Sequence, residues 1–439
     1  ASQAQAHRTM ARTTLLLQLL VVVLLAWACE AKNREYFIAA EEVEWNYAPS
    51  GMNLYKEVPL DEDPESEPFF AQGPDRIGGT YIKALYIGYT DGSFSTQIER
   101  TPEWEHLGFL GPPIYAEVGD TVEVHFINRC RYNFTIHALG LSYSKEFEGA
   151  KYPNDGRSFP GNSVSPGTSF TYKWDVPDRS GPGPGDWSST AYLYTSHVDA
   201  VADTNAGLVG PIVVTAKGMA DEDGRPKDVD REFFSFYTVS DENVSNYIED
   251  NVEHFLGADA ISDELFEDGD FEESNLMHGI NGMLFNNLPG YTMTAFERVR
   301  WYTLAVGTEV DLHTAHWHGQ TLLDQSLARV DVTSVFPGTV SVLDMVPDSP
   351  GIWFTHCHVN DHVSAGMMAL FEILPAQSVY SSARNLATTY DPFYFLFDDD
   401  GQPAPRIQYD TYSSDPFSAG TALTTATPML LAVILVCLL

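Results

Sequence analysis

The chain has 439 residues, enough for two or three domains with separate cores, and its 44% hydrophobic residues with 33 Gly and 26 Pro describe a folded, turn-rich β protein. Lys and Arg number 24 against 61 Asp and Glu, a formal charge of −37, which excludes nucleic acid as a partner because phosphate binding needs cations. Such a surface attracts cations and also suits a saline, calcium-rich medium.

In chain order, residues 1–9 read as upstream read-through before Met10. Arg8 and Arg12 then precede an apolar run over 15–28 that closes on Cys29, Ala31 and Lys32. This is the pattern of a signal peptide over 1–32 and predicts an exported, extracellular chain. Short alternating or β-branched runs follow at 81–87, 121–127, 169–174, 191–194 and 210–215, separated by turn residues. They predict an antiparallel barrel or sandwich within a first domain over 33–217. The acidic stretch 218–231 reads as a linker. A second set of strands runs from Glu232 to Leu374 within a domain over 232–377, and 116–126 resembles 296–304, which marks the halves as duplicated modules. Residues 249–273, rich in Asp and Glu, read as a solvated loop or short helix.

Residues 378–420 read as a stalk. The polar spacer 421–427, the apolar end 428–439 and small residues upstream (Ser413-Ser414, or Ser418-Ala419-Gly420) match a removable signal for a glycosylphosphatidylinositol anchor, which would tie the protein to a membrane. Of four cysteines, Cys29 and Cys437 fall in these end segments. Cys130 and Cys357 remain, too few for a disulfide framework. Asn133-Phe-Thr and Asn243-Val-Ser are glycosylation sequons.

Six of the 13 histidines lie in two short segments, 311–319 and 356–367. In the second, Cys357, His362 and Met367 follow the spacing C-x4-H-x4-M, and His313 completes the set from a neighbouring strand. Two imidazoles, a thiolate and a weak thioether make a mononuclear blue (type 1) copper site. Zinc is the rival for a Cys and His cluster, but structural zinc sites seldom include Met at this offset. The pairs His316-x-His318 and His356-x-His358 point to one face of a strand and can serve a metal cluster. His356 and His358 flank Cys357 covalently, a short path for an electron.

These motifs resemble the multicopper oxidases, and within them the ceruloplasmin and hephaestin group of ferroxidases. Met277-His-Gly-Ile-Asn-Gly, Phe336-Pro-Gly, Pro350-Gly-Ile-Trp-Phe, Ile114-Tyr-Ala-Glu-Val-Gly-Asp-Thr, Glu148-Gly-Ala-Lys-Tyr-Pro and Gly207-Leu-Val-Gly-Pro-Ile carry the same likeness, which covers about 77–374. The resemblance implies an all-β fold of two tandem cupredoxin-like Greek-key barrels with copper as cofactor. It also implies a trinuclear cluster built from four His-x-His pairs. The last-domain pairs are intact, whereas Leu139 and Thr195 stand where the first domain would supply histidines. By the family's wiring, His137 and His316 would hold a type 2 copper. His197, His318 and His356 would hold one type 3 copper, and His358 alone would remain for the other. Such a broken cluster implies weak, altered or absent O2 reduction. Glu273, His278 and Asp361 match the family's iron-oxidising positions and would bind Fe(II), although two acids in so acidic a chain also fit an ordinary surface.

The resemblance further implies a head-to-tail homotrimer that rebuilds a six-domain ring. Three functions compete: a cell-surface ferroxidase or related oxidase using Fe(II) or another small reductant and O2, with a laccase-like activity as its lesser variant; a copper-binding or electron-transfer protein without oxidase activity; and an acidic extracellular matrix protein on a degenerate oxidase scaffold.

Overall fold

The structure, a computed structural model, describes residues 31–152, 159–308 and 311–376; residues 1–30 of the expected signal peptide and the whole of the expected stalk and anchor signal lie outside them. In the first half, strands β1 (Asn33–Asn46), β2 (Thr80–Tyr89), β3 (Ile114–Glu117), β4 (Thr121–Asn128), β5 (His137–Ala138), β6 (Ser169–Asp175), β7 (Ser189–Thr195) and β8 (Val209–Thr215) form two four-stranded sheets. Their orders are β2-β1-β4-β6 and β3-β8-β7-β5.

The second half repeats the plan with β9 (Arg231–Asp241), β10 (Leu276–Ile280), β11 (Thr292–Thr294), β12 (Val299–Ala305), β13 (His313–Trp317), β14 (Leu322–Leu323), β15 (Arg329–Val330), β16 (Val332–Val335), β17 (Val340–Met345), β18 (Gly351–Cys357) and β19 (Met368–Leu374). Its sheets run β10-β9-β12-β17-β14-β15 and β11-β19-β18-β13-β16. Strand for strand, β1 to β5 correspond to β9 to β13, and β6, β7 and β8 to β17, β18 and β19. The duplication is therefore one of topology as well as sequence. Each barrel is mixed rather than purely antiparallel: β1 runs parallel to β4 and β9 to β12, β3 to β8 and β11 to β19. Crossover connections between the two sheets produce those parallel pairs.

The strands form where the side-chain alternation matches a half-buried pleat. In β4, Val122, Val124 and Phe126 turn inward while Glu123 and His125 turn out. By contrast β8 and β12 are buried on both faces, because one face meets its own core and the other meets the opposite barrel. Three cores result. Ile38, Val124, Phe126, Tyr172 and Trp174 fill the first barrel, and Trp301, Trp317, Cys357, Met367 and Phe371 fill the second. Leu193, Val209, Phe234, Phe236, Tyr302 and Leu304 join the two.

An ion pair with both side chains at 0% exposure, Lys83 with Glu242, crosses the same boundary, and Tyr47 donates to that carboxylate at 2.5 Å. The 218–231 connection is pinned to the barrels, since Arg225 reaches Glu103 and Glu232, each at 3.0 Å. The acidic stretch 249–273 is taken up by the helices Ile248–Phe255, Asp263–Phe266 and Gly269–Ser274 and the turns between them. The first is anchored by buried Asn251, which accepts from the Ile82 amide at 2.7 Å.

Candidate metal centre

The end of β13, the end of β18 and the turn after it bring His313, Cys357 and His362 together. Cys357 Sγ lies 3.9 Å from His313 Nδ1 and 3.6 Å from His362 Nδ1, and the two imidazole nitrogens are 3.1 Å apart. All three residues are buried. Pairing of β13 with β18 sets the position, with Ala315 opposite Cys357 and His316 opposite His356. The short helix Asn360–Ser364 then carries His362 back over the thiol. Met367 is fully buried in the same core, and its carbonyl accepts from the Cys357 amide at 3.0 Å.

Burial opposes charge on the Cys357 thiol, but hydrogen bonds with His313, His362 and the Thr314 and Val359 amides outweigh it and bring its pKa down to about 6. Burial likewise opposes charge on His313, and there Asp311 and Cys357 prevail and raise it. Asp311 was not singled out in the sequence. Its buried carboxylate accepts from the Val239 amide at 2.7 Å and the Thr308 amide at 2.9 Å, and meets His313 Nε2 at 3.2 Å. That contact turns His313 Nδ1 toward the thiol. Two imidazole Nδ1 atoms and a readily ionised thiolate, converging in a buried pocket, fit a soft-ligated copper.

The strand equivalences show what the first barrel has in these places. His137 faces Thr195 in the β5–β7 pairing as His316 faces His356. By the same register Phe134 and Ser196 occupy the positions of His313 and Cys357, and Asp203 and Leu208 those of His362 and Met367, because the Ser196 amide bonds to the Leu208 carbonyl and the Leu208 amide to the Asp203 carbonyl as Cys357 does to Met367 and Met367 to His362. The first barrel therefore lacks the donors for such a site.

On the outer side of the second barrel, His316, His318 and His356 hold ligand atoms within 4.8 Å of one another, with His318 and His356 Nε2 atoms 3.1 Å apart. His358 packs 5.4 Å from both His316 and His356, centroid to centroid. Burial pushes His356 down to about 4, backbone bonding to Cys357 opposes this, and neighbouring imidazoles add to the fall. His316 Nδ1 meets the Asp331 carbonyl at 2.8 Å, and His137 Nδ1 meets the Glu148 carbonyl at 2.6 Å. Each is left with Nε2 free for a ligand.

His137 and His197 meet edge to face, ring centroids 5.2 Å apart. Among the described residues, no contact joins them to the second-barrel histidines. Leu139 packs against the core between the barrels, and Thr195 lies half-buried beside His137.

The three candidate iron ligands are not drawn together in the same way. His278 lies 5.5 Å from His362, ring to ring, and burial followed by the His362 charge lowers it to about 4. Glu273, on the Gly269–Ser274 helix, and Asp361, beside His362, are exposed. Among the described residues these three do not group within 4.8 Å.

Two family models, both described as multicopper oxidase, match residues 106–218 and 261–377. Hephaestin of Rattus norvegicus is 40% identical over 344 residues, covering 77% of this chain and 29% of that protein. Ceruloplasmin of Rattus norvegicus is 42% identical over 342 residues, 77% of this chain and 32% of that protein. Ferroxidase HEPHL1 of Mus musculus is 39% identical over 346 residues, with 78% and 29% covered. The chain thus spans less than a third of the length of these relatives.

Proposed function

The chain belongs to the multicopper oxidase family, in its hephaestin- and ceruloplasmin-like group, and from that premise we propose that it is a ferroxidase-type oxidoreductase whose resident copper is held by His313, Cys357, His362 and Met367. The observation that carries the reading is the buried convergence of His313 Nδ1, His362 Nδ1 and Cys357 Sγ within 3.9 Å. Bound there, copper supplies the one-electron acceptor that oxidation of Fe(II) requires. Asp311 holds His313 in the ligating orientation, and the peptide bonds from Cys357 to His356 and His358 lead toward the outer histidines. Glu273, His278 and Asp361 offer Fe(II) hard oxygens and one imidazole. Residues 1–32 and 421–439 support an extracellular, lipid-anchored protein.

O2 would meet a cluster of His137, His197, His316, His318, His356 and His358, which a single chain keeps in two separate places. A head-to-tail trimer would bring them together. One exposed face supports such repetition. Ile352 and Phe354 in β18, with Leu370, Glu372 and Leu374 in β19, occupy the register positions of Ala191, Leu193, Pro211, Val213 and Thr215. The first barrel uses that face to pack on the second, whereas Ile352 is 68% exposed. A monomer by light scattering would refute the trimer.

The test of function is O2 uptake with Fe(II) by the copper-loaded protein, expected to occur and to vanish in Cys357→Ser. A second reading, an electron-transfer protein, is favoured by Leu139 and Thr195. It would bleach with Fe(II) without consuming O2.

A further inference from the structure

On the outer face of the first barrel, far along the chain from the copper motifs, Glu35 of β1 and Glu123 and His125 of β4 hold ligand atoms within 4.8 Å of one another. Parallel pairing places Glu35 opposite Glu123 and Phe37 opposite His125. In the antiparallel pairing with β6, Thr171 lies opposite His125 and Lys173 opposite Glu123. The three donors thus share one side of two adjacent strands.

The imidazole is held in place from two directions. Phe37 stacks on it at 4.8 Å with an interplanar angle of 11°, and Thr171 Oγ1 meets its Nδ1 at 3.1 Å. Its Nε2 is turned toward Glu35, 3.9 Å from Oε1. A ring fixed by a hydroxyl on one nitrogen, with carboxylates beside the other, is the arrangement that orients histidine for a metal.

The corresponding strands of the second barrel, β9 and β12, hold Glu232, Arg300 and Tyr302 at the positions of Glu35, Glu123 and His125, all buried where the barrels meet and with Glu232 engaged by Tyr302. Here the same side of the sheet presents two acids and an imidazole at 54%, 18% and 29% side-chain exposure. We propose that Glu35, Glu123 and His125 form a separate binding site for a divalent cation of the zinc class, one imidazole and two carboxylates leaving a fourth position for water. The chain's charge of −37 favours cations as ligands. Lys173, 2.7 Å from Glu123, is the built-in competitor and would be displaced.

The test uses the full chain loaded with copper first, so that the histidines of the copper motifs are filled. Zn2+ is then titrated by calorimetry, and Co2+ is used as a coloured probe of the ligand set. The expected result is one zinc site per chain in addition to copper. It should weaken at least about tenfold in His125→Gln and in Glu123→Gln, with copper content and circular dichroism unchanged. Lys173→Met should tighten it by up to about fivefold, the strength of an exposed ion pair. Wild-type zinc affinity in His125→Gln, or weakening by the carboxylate change alone, would overturn the proposal, since either means that acids attract zinc without a built site.

Discussion

Asp311→Asn tests how the mononuclear site is held. The side chain is 2% exposed and three N–H donors converge on it, from Val239, Thr308 and His313. A carboxylate can accept all three. Asparagine has the same shape, but its amide NH2 must point at one of those donors and its single oxygen can serve two at most. One buried N–H is then orphaned, at about 1–3 kcal/mol, and His313 loses the charge that raised its pKa against burial. Urea unfolding of the metal-free protein should show that loss, and competitive titration should show copper bound about 10- to 100-fold more weakly. If stability stays within about 0.5 kcal/mol of wild type and copper affinity is unchanged, Asp311 does not hold His313 and the account of the site's orientation fails.

His106 is fully buried between Phe233, Phe234 and Tyr291, accepts from the Phe234 amide, and is pushed by burial from 6.5 to about 3. As pH falls from 6.5 toward 3 the unfolded chain takes up a proton that the native one refuses, so stability drops by ~1.4 kcal/mol per pH unit from this residue alone. His106→Gln should flatten the slope of unfolding free energy between pH 4 and 6 by that amount; an unchanged slope would contradict the burial argument. Leu139→His combined with Thr195→His places imidazoles where the second barrel has His318 and His356. It should raise copper content by atomic emission and increase O2 uptake with Fe(II), and no change in either would count against the strand equivalence.

The long alternating runs were readable because one face of each strand is buried in a barrel core. β1 was not, and it is the strand between β2 and β4. Its segment Glu41-Glu-Val-Glu-Trp breaks the alternation, because its outward face follows the sheet's twist from solvent toward the contact with the second barrel, where Val43 and Trp45 pack. Cys357, His362 and Met367 were legible because one turn supplies all three. Asp311 appeared only once the fold brought Val239 and Thr308 to it. Glu35, Glu123 and His125 are too ordinary in sequence to attract notice, and only the parallel pairing of β1 with β4 makes them neighbours. The first barrel's counterpart of the mononuclear site was legible only in part: offsets from His137 and His197 lead to Phe134 and Ser196, but two extra residues in the turn after β7 move the other two positions to Asp203 and Leu208, which only the strand pairing shows.

The central claim is that His313, Cys357, His362 and Met367 hold a blue copper, and metal analysis joined to visible and electron paramagnetic resonance spectra of the copper-loaded protein addresses it most directly. The account predicts intense copper–thiolate absorption with a narrow copper hyperfine splitting, both abolished in Cys357→Ser while the outer histidines retain copper. Copper bound without that absorption, or absorption that survives the loss of Cys357, would contradict it.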